Sequence, residues 1–179
     1  KSPHHDYLHS PTHSSSDPKP PRVSYVGQVP QVFRGTILDN LTLFGTYTVE
    51  DAKWVAELTG LTPEIHRLPD GFDTQLLGSA NPELSTAFSQ LICIARAIVS
   101  KPSILLLDAS NNGLDAKTET AFAQMLQRLS GQVTIILATQ RPSLLRNADL
   151  IFEISDRTGR IVPRPPSQAQ DRMLREKAS

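Results

Sequence analysis

Hydrophobic residues recur with two different spacings along this chain, and the spacings predict its helices and strands. Over residues 84–100 the apolar positions follow the period of an amphipathic helix, with Ser85 at the N-cap position and Pro102 just beyond the end. Residues 104–107 are then a continuous apolar run, which is typical of a strand covered on both faces. Asp108 follows directly. It is therefore expected at the carboxyl edge of the sheet, where open α/β sheets bind ligands.

The same patterns predict elements on both sides of this block. Strands are predicted at 22–26, 133–138, 150–154 and 160–162. Helices are predicted at 49–58, 63–68, 115–129 and 143–148, with a helical turn after Asp39-Asn40. Residues 69–83 are dense in Gly, Pro and Asp and predict a loop. Strands that alternate with helices favour an α/β fold with a mostly parallel sheet, into which residues 36–101 insert helices and loops without a strand.

Composition changes at both ends of the chain. Residues 1–21 are rich in Ser, Pro and His and are expected to be disordered, whereas residues 22–162 form the ordered domain and 163–179 a tail with a charged helix at 169–177. Four histidines of the first segment suggest a metal site, but a segment without regular structure does not fix ligand geometry. These are His4, His5, His9 and His13.

Charge and cysteine content exclude several classes of function. The formal net charge is +0, which argues against non-specific binding to nucleic acid or to anionic lipid. The single cysteine, Cys93, falls at an expected core position and favours a reducing compartment. The longest apolar run, 91–95, is far shorter than the roughly 20 residues that span a bilayer, and the polar N-terminus shows no signal peptide.

Five stretches carry the candidate chemistry, in a fixed order along the chain. They are VGQVPQVFRGTILDNL with Gln28, LPDGFDTQL, LSTAFSQLICIARAIVSKPSILLLD with Ser85 and Asp108, NNGLD with Asp115, and LATQRPSLLRNADLIFEI with Gln140. Over about residues 23–162 this order resembles the nucleotide-binding domain of ABC transporters of the exporter kind, and it is similar to the bacterial type I secretion or peptide-export branch. The stretches resemble the Q-loop, the approach to the signature, the signature helix running into Walker B, the D-loop and the H-loop.

The resemblance implies a fold, ligands and partners. It implies an incomplete P-loop NTPase fold with a RecA-like sheet and a helical subdomain at 36–101. It implies ATP and Mg²⁺ as cofactors, bound weakly or not at all. The nucleotide-binding positions would be Gln28, Ser85, Asp108, Asp115 and Gln140, with Asp108 and Gln28 as metal ligands. The partners would be the transmembrane domain of an exporter and a second cassette, with no nucleic acid. The chain would lie on the cytoplasmic side of the membrane, held there by a partner or by a further segment.

Several positions depart from the family pattern. The glutamate that normally follows the Walker B aspartate is Ala109, whose methyl group cannot accept a proton. The H-loop histidine is Gln140, which donates a hydrogen bond but carries no charge. The two signature glycines are Thr86 and Ala87. Phe88 replaces a polar residue and is expected to pack in the core.

The largest departure is the missing Walker A motif, G-x-x-x-x-G-K-[ST]. Its backbone N–H groups and lysine form most of the phosphate cradle in the family. No glycine precedes Gly27, and Lys1-Ser2, taken as the tail of such a motif, stands too close to Gln28. No catalytic residue is therefore assigned, and whether the chain is an enzyme stays open at this point.

Two functions remain. The first is a degenerate cassette that binds nucleotide weakly or not at all and pairs with a transmembrane subunit or an intact cassette. The second is a fragment of an ATP-hydrolysing exporter whose Walker A and transmembrane parts lie outside this sequence. Each surviving residue also has a structural alternative: Asp108 caps the following loop, Gln28 is an ordinary loop residue, and Asp115 is the N-cap of its helix.

Overall fold

The computed structural model describes residues 22–78, 84–110, 113–155 and 158–163. The predictions for residues 1–21 with their histidines, and for the C-terminal helix at 169–177, lie outside these ranges. The chain divides into two units, Lys1–Ala138 and Thr139–Ser179.

The first unit alternates strands with helices along the chain. Its elements are β1 (Val23–Val26), β2 (Arg34–Thr36), α1 (Ile37–Thr42), α2 (Val49–Thr59), α3 (Thr62–Ile65), a 3₁₀ turn (Gly71–Asp73), β3 (Gln75–Leu77), α4 (Thr86–Val99), β4 (Ile104–Asp108), α5 (Ala116–Leu129) and β5 (Thr134–Ala138). The α/β class predicted from the sequence is confirmed.

A parallel sheet of three strands organises this unit. Its order is β1-β4-β5, with Val26 beside Leu107 and Asp108 beside Ala138. The central strand β4 is the apolar run at 104–107 extended by Asp108. All three strands therefore end at one edge, and that edge carries the candidate chemistry.

The two faces of this sheet are covered unequally. On one face Val26, Leu105 and Leu107 are buried, and α4 packs against β1. On the other face Val23, Tyr25 and Ile136 are more than half exposed. The expectation that β4 is covered on both faces is therefore wrong for the part of the chain that the structure describes, because the side chains beside it on the second face stay largely exposed. We call these the closed face and the open face.

The expectation that residues 36–101 contain no strand is also wrong. Residues 75–77 form β3, which pairs antiparallel with β2, so that Gly35 lies beside Leu76. Leu76 is fully buried between exposed Gln75 and Leu77, which is the alternation of a half-buried strand. Three residues give too short a pattern to stand out from the Gly- and Asp-rich sequence around them.

Side-chain caps set the beginnings of the helices. Thr36 and Asp39 form a capping box on α1, and Thr48 and Asp51 form another on α2. Because Thr36 is the cap, α1 includes Asp39-Asn40 rather than following them. At the far end of α2, Gly60 adopts the left-handed conformation (φ 79°) that closes the helix.

The second unit contains a short helix and a hairpin. The helix α6 (Pro142–Leu145) begins with proline, and β6 (Ile151–Ser155) pairs antiparallel with β7 (Thr158–Val162). Glu153 and Arg160 face each other on the hairpin, with 2.7 Å between Oε2 and Nη2. Among the described helices of either unit, none has the length and hydropathy needed to cross a membrane.

Candidate functional site

Gln28 and Asp108 lie at the carboxyl edge of the parallel sheet. Asp108 is the last residue of β4, and Gln28 is the second residue after the neighbouring strand β1. Both side chains are exposed. This is the edge at which open α/β sheets bind ligands, so the sequence prediction placed these two residues correctly in the fold.

Tyr25 is the immediate partner of Asp108. Its phenol donates a hydrogen bond to Asp108 Oδ2 across 3.1 Å, and Tyr25 itself lies on the open face of the sheet. This hydrogen bond to the carboxylate raises the pKa of the Tyr25 phenol, because the protonated phenol is the donor. One carboxylate oxygen of Asp108 is thus already engaged within the chain.

The helix α4 fixes the backbone next to Gln28 through a side-chain hydrogen bond. The Gln90 side chain, which is fully buried, donates from Nε2 to the carbonyl of Gly27 at 3.1 Å. Gly27 is the residue before Gln28, so a helix 63 positions further along the chain fixes the backbone at the point where Gln28 begins.

Ser85 and Asp115 are the N-caps of α4 and α5. Ser85 Oγ accepts from the N–H of Phe88 at 3.1 Å, and Asp115 Oδ1 accepts from the N–H of Thr118 at 2.8 Å. The bond from Thr118 holds the pKa of the Asp115 carboxyl below its ordinary value, since the ionised carboxylate is the better acceptor. The structural alternative for Asp115 is therefore observed, and Ser85 has the cap role expected of it.

Gly113, two residues before Asp115, lies close to the beginning of α4. It adopts a positive φ of 81°, and a Cβ added there would lie 3.4 Å from Thr86 Cγ2, at the first residue of α4. That distance is an ordinary van der Waals contact, so the positive φ is what favours glycine at 113.

Ala109 occupies the position after Asp108 in a left-handed conformation, with φ 47°. Its N–H donates to the carbonyl of Ala138 at 3.1 Å, which continues the β4–β5 pairing past Asp108. The next residue, Ser110, is fully buried, and its hydroxyl has no hydrogen-bond partner within the described ranges. No group at these two positions can act as a general base in place of the glutamate.

Gln140 lies in the second unit, where its side chain is exposed. The neighbouring backbone is shaped by Thr139, whose Oγ1 accepts from the N–H of Arg141 at 3.1 Å. The prediction that Gln140 joins the nucleotide site stays a prediction.

The described residues do not by themselves fit a magnesium nucleotide. An aspartate and a glutamine offer oxygen ligands of the kind that Mg²⁺ accepts. However, no group of three or more His, Cys, Asp or Glu side chains that could hold a metal occurs in the described ranges. A triphosphate further needs a run of backbone N–H groups and a lysine, and the chain contains no G-x-x-x-x-G-K-[ST] sequence. The unpartnered Ser110 Oγ and Gln90 Oε1 do not replace that cradle.

Three residues of this edge were missed from the sequence. Tyr25 stands among apolar strand residues, and only the register of β1 against β4 places its ring beside Asp108. Gln90 is a polar residue on the apolar face of α4. Because buried polar groups are normally hydrogen-bonded, this position indicated a specific hydrogen bond. Arg96 lies two turns further on and donates to the carbonyl of Gln31 at 2.6 Å.

Comparison with known proteins identifies the family. The model of the ABC transporter family matches residues 5–112. The chain is 36% identical over 143 residues to ABC transporter B family member 21 of Arabidopsis thaliana, covering 79% of this chain and 11% of that protein. It is 39% identical over 142 residues to multidrug resistance protein pgp-1 of Caenorhabditis elegans, covering 78% and 10%. ABC-type transmembrane transporter verA of Clonostachys rogersoniana is 36% identical over 144 residues, covering 79% and 11%.

The chain therefore belongs to the ABC transporter family, and its parallel sheet belongs to the P-loop NTPase fold of that family. It is an exporter-type ATP-binding cassette domain, since the relatives it matches include B-family and multidrug transporters. It spans about a tenth of the length of these relatives. The narrower likeness to type I secretion stays a prediction.

Proposed function

We propose that this cassette domain does not hydrolyse ATP by itself and acts as an interaction module of an exporter. Ala109 carries the proposal, since it places a methyl group directly after Asp108, where hydrolysis needs a group that orients or deprotonates water. Losing a general base typically lowers a rate by about 10²–10⁴-fold.

The roles of the surviving residues support this proposal. Ser85 and Asp115 are engaged as helix caps, and Asp108 accepts a hydrogen bond from Tyr25. Each therefore has a structural use that does not depend on nucleotide. The apolar face of α4 is packed at the same time: Ile92, Ile94 and six further apolar residues are buried. Those six are Phe88, Leu91, Cys93, Ala95, Ile98 and Val99.

An exposed aromatic pair supplies a surface for the transmembrane partner. Phe33 and Phe44 are 45% and 56% exposed, and their ring centroids lie 6.2 Å apart. Aromatic residues are enriched in the cores of protein interfaces. In this proposal the pair contacts the transmembrane subunit, which keeps the cassette at the cytoplasmic side of the membrane. The other partner is a second cassette, which is either a copy of this chain or a cassette with intact motifs.

The alternative is that this domain is part of an active exporter whose Walker A and transmembrane parts lie outside the sequence. Two observations favour it: the chain spans about a tenth of its relatives, and the open face of the sheet carries apolar side chains. Even then Ala109 and Gln140 would leave this cassette without its own base and histidine. Its hydrolysis would depend on the partner cassette.

Turnover and binding measurements test the proposal. Steady ATP hydrolysis by the purified chain that is abolished by Asp108→Asn would contradict it. Calorimetry with Mg-ATP then separates a weak binder from a scaffold. Heat that disappears in both Asp108→Asn and Gln28→Ala indicates weak binding at this edge, and no heat at millimolar Mg-ATP indicates a scaffold. Sedimentation with and without Mg-ATP shows whether two cassettes pair.

A further inference from the structure

The strand β5 lies at one edge of the parallel sheet, and among the described strands it has a neighbour on one side only. Its register with β4 is continuous from Thr134 to Ala138, so no bulge interrupts it. The sequence of this strand, TIILA, contains neither a charged residue nor a proline. Native proteins normally protect edge strands with charges, prolines or bulges. Since β5 has none of these, its outer edge is suited to pairing with another strand.

The backbone hydrogen bonds of β5 show which residues face that outer edge. The N–H of Thr134 donates to the carbonyl of Ser103 at 3.0 Å, and the carbonyl of Ala138 accepts from the N–H of Ala109 at 3.1 Å. Both bonds point towards β4. Because a strand directs its backbone groups to alternate sides with a period of two, the even-numbered residues of β5 all face β4. The odd-numbered residues therefore direct their N–H and carbonyl groups away from the sheet.

These odd-numbered residues, Ile135 and Leu137, make the outer edge self-complementary. In an antiparallel pair, alternate facing residues exchange both of their backbone hydrogen bonds. A two-fold axis beside Ile136 sets Ile135 of each copy opposite Leu137 of the other. Every outward N–H group of these residues then has a carbonyl acceptor in the second copy. A two-fold arrangement of this kind is closed and stops at a dimer.

The side chains of β5 suit the same register. Ile136 is 59% exposed on the open face, and it meets the same residue of the second copy at the axis. Facing residues that do not exchange hydrogen bonds have Cα atoms about 4.5 Å apart, which brings β-branched side chains into contact. Ile135 and Leu137 are half-buried on the closed face. No charge on β5 faces a like charge across the axis, and the formal net charge of +0 gives no overall repulsion between copies.

The strand at the other edge of the sheet, β1, is less suited to pairing. It has four residues, whereas β5 has five. Ser24 in its middle shares a hydrogen bond with Ser100 across 3.1 Å between the two Oγ atoms. An association of β5 with β1 would also be head-to-tail, and it would continue into a filament unless its rotation closed a ring. Two-fold pairing of β5 is therefore the arrangement that this sheet favours.

We propose that two copies of this chain pair through β5, antiparallel and centred on Ile136, so that their parallel sheets join into one continuous sheet. The pairing of one short strand falls below the roughly 1,200 Å² that stable interfaces bury. We therefore expect a reversible dimer with a dissociation constant on the order of 10 µM. This pairing supplies the second cassette of the proposed function with a defined docking strand. It does not rest on the loss of hydrolysis.

Sedimentation velocity of the 179-residue chain without nucleotide tests the pairing. Between about 1 and about 200 µM we expect the chain to change from monomer to dimer. Ile136→Lys sets like charges opposite each other at the axis and should weaken dimerisation at least about tenfold. Val23→Lys is the matched control, because Val23 is 56% exposed on the same open face but lies in the other edge strand. This control should dimerise as the wild type does.

Charge complementation tests the register. Ile136→Glu should weaken dimerisation as Ile136→Lys does, because like charges again meet at the axis. An equimolar mixture of the two variants should restore the dimer, since opposite charges then face each other. Far-ultraviolet circular dichroism checks that each variant is folded.

Hydrogen exchange of the wild-type chain gives a measurement that needs no variant. The amides of Ile135 and Leu137 should exchange more slowly at about 200 µM than at about 1 µM, because the second copy then accepts their hydrogen bonds. The amide of Ile136, which faces β4, should slow less. Equal rates at the two concentrations for Ile135 and Leu137 would contradict the pairing.

Four sedimentation results would overturn the proposal. A monomer at every concentration would mean that the copies do not pair. Equal weakening by Val23→Lys and Ile136→Lys would place the contact on the open face rather than at the edge. A mixture that stays monomeric would show that the copies do not meet at residue 136, and growth beyond a dimer would indicate head-to-tail association. Because no nucleotide is present, these results do not depend on whether the chain hydrolyses ATP.

Discussion

The closed and open faces of the parallel sheet are built from the same three strands and differ in what covers them. On the closed face Leu105 is 0% exposed and Leu107 is 1% exposed. On the open face Tyr25 is 63% exposed and Ile136 is 59% exposed. Yet both faces are lined mainly by apolar residues, because β4 reads as an unbroken run from Ile104 to Leu107.

The sequence of β4 is therefore typical of a sheet covered on both faces, whereas the described residues cover only one face. All-parallel sheets occur almost only where both faces are covered. The open face is also the side on which Tyr25 meets Asp108, so the uncovered region and the candidate site adjoin.

The largest expected effect is a contrast between two truncations. Leu105→Ala on the closed face should lower the free energy of unfolding by about 3 kcal/mol, because it leaves a cavity in a packed core. Ile136→Ala on the open face should lower it by less than about 1 kcal/mol, since the side chain is mostly exposed already. Urea denaturation measures both. Equal losses would show that the open face is covered in solution.

The second effect concerns the beginning of α4. Ser85→Ala should lower the free energy of unfolding by about 1 kcal/mol, because the N–H of Phe88 loses its acceptor. Ser89→Ala, the same change inside the same helix, should alter it by no more than about 0.5 kcal/mol. The pair is compared by urea denaturation at neutral pH. If the two variants are equally stable, the hydrogen bond from the N–H of Phe88 to Ser85 does not contribute to the stability of the protein.

The smallest effect concerns Tyr25 on the open face. Its phenol pKa is raised by the hydrogen bond to Asp108, so the associated stability is present below the pKa of a free tyrosine and is lost as pH rises through the raised value. Ultraviolet titration should show a late-ionising phenol that disappears in Tyr25→Phe. In Asp108→Asn that phenol should ionise at lower pH. Unchanged titration in Asp108→Asn would mean that the bond is absent in solution.

Much of the fold could be predicted from periodicity and caps. The long amphipathic helices α4 and α5 begin one residue after Ser85 and Asp115, as their cap residues indicate. The short strand β3 could not be predicted, because its pairing with β2 depends on a partner about forty positions earlier and its pattern covers only three residues. The open face could not be predicted either, since apolar composition does not show whether a covering element is present.

The candidate site was predictable only in part. Motif order placed Gln28 and Asp108 at the ends of neighbouring strands. It did not reveal Tyr25 or Arg96, whose contacts join residues 83 and 65 positions apart. Such contacts follow from strand register and helix placement, which a single sequence does not state. Gln90, a polar residue in an apolar stripe, indicated a buried hydrogen bond but did not indicate its partner.

The left-handed backbone at Ala109 determines which side chains this position accepts. Alanine already has a Cβ and adopts the left-handed conformation here. A longer L side chain at the same position therefore adds no new backbone strain. Ala109→Glu would return a carboxylate directly after Asp108 in a single substitution. The position after Asp108 therefore accepts a carboxylate through one substitution, without a change of backbone conformation.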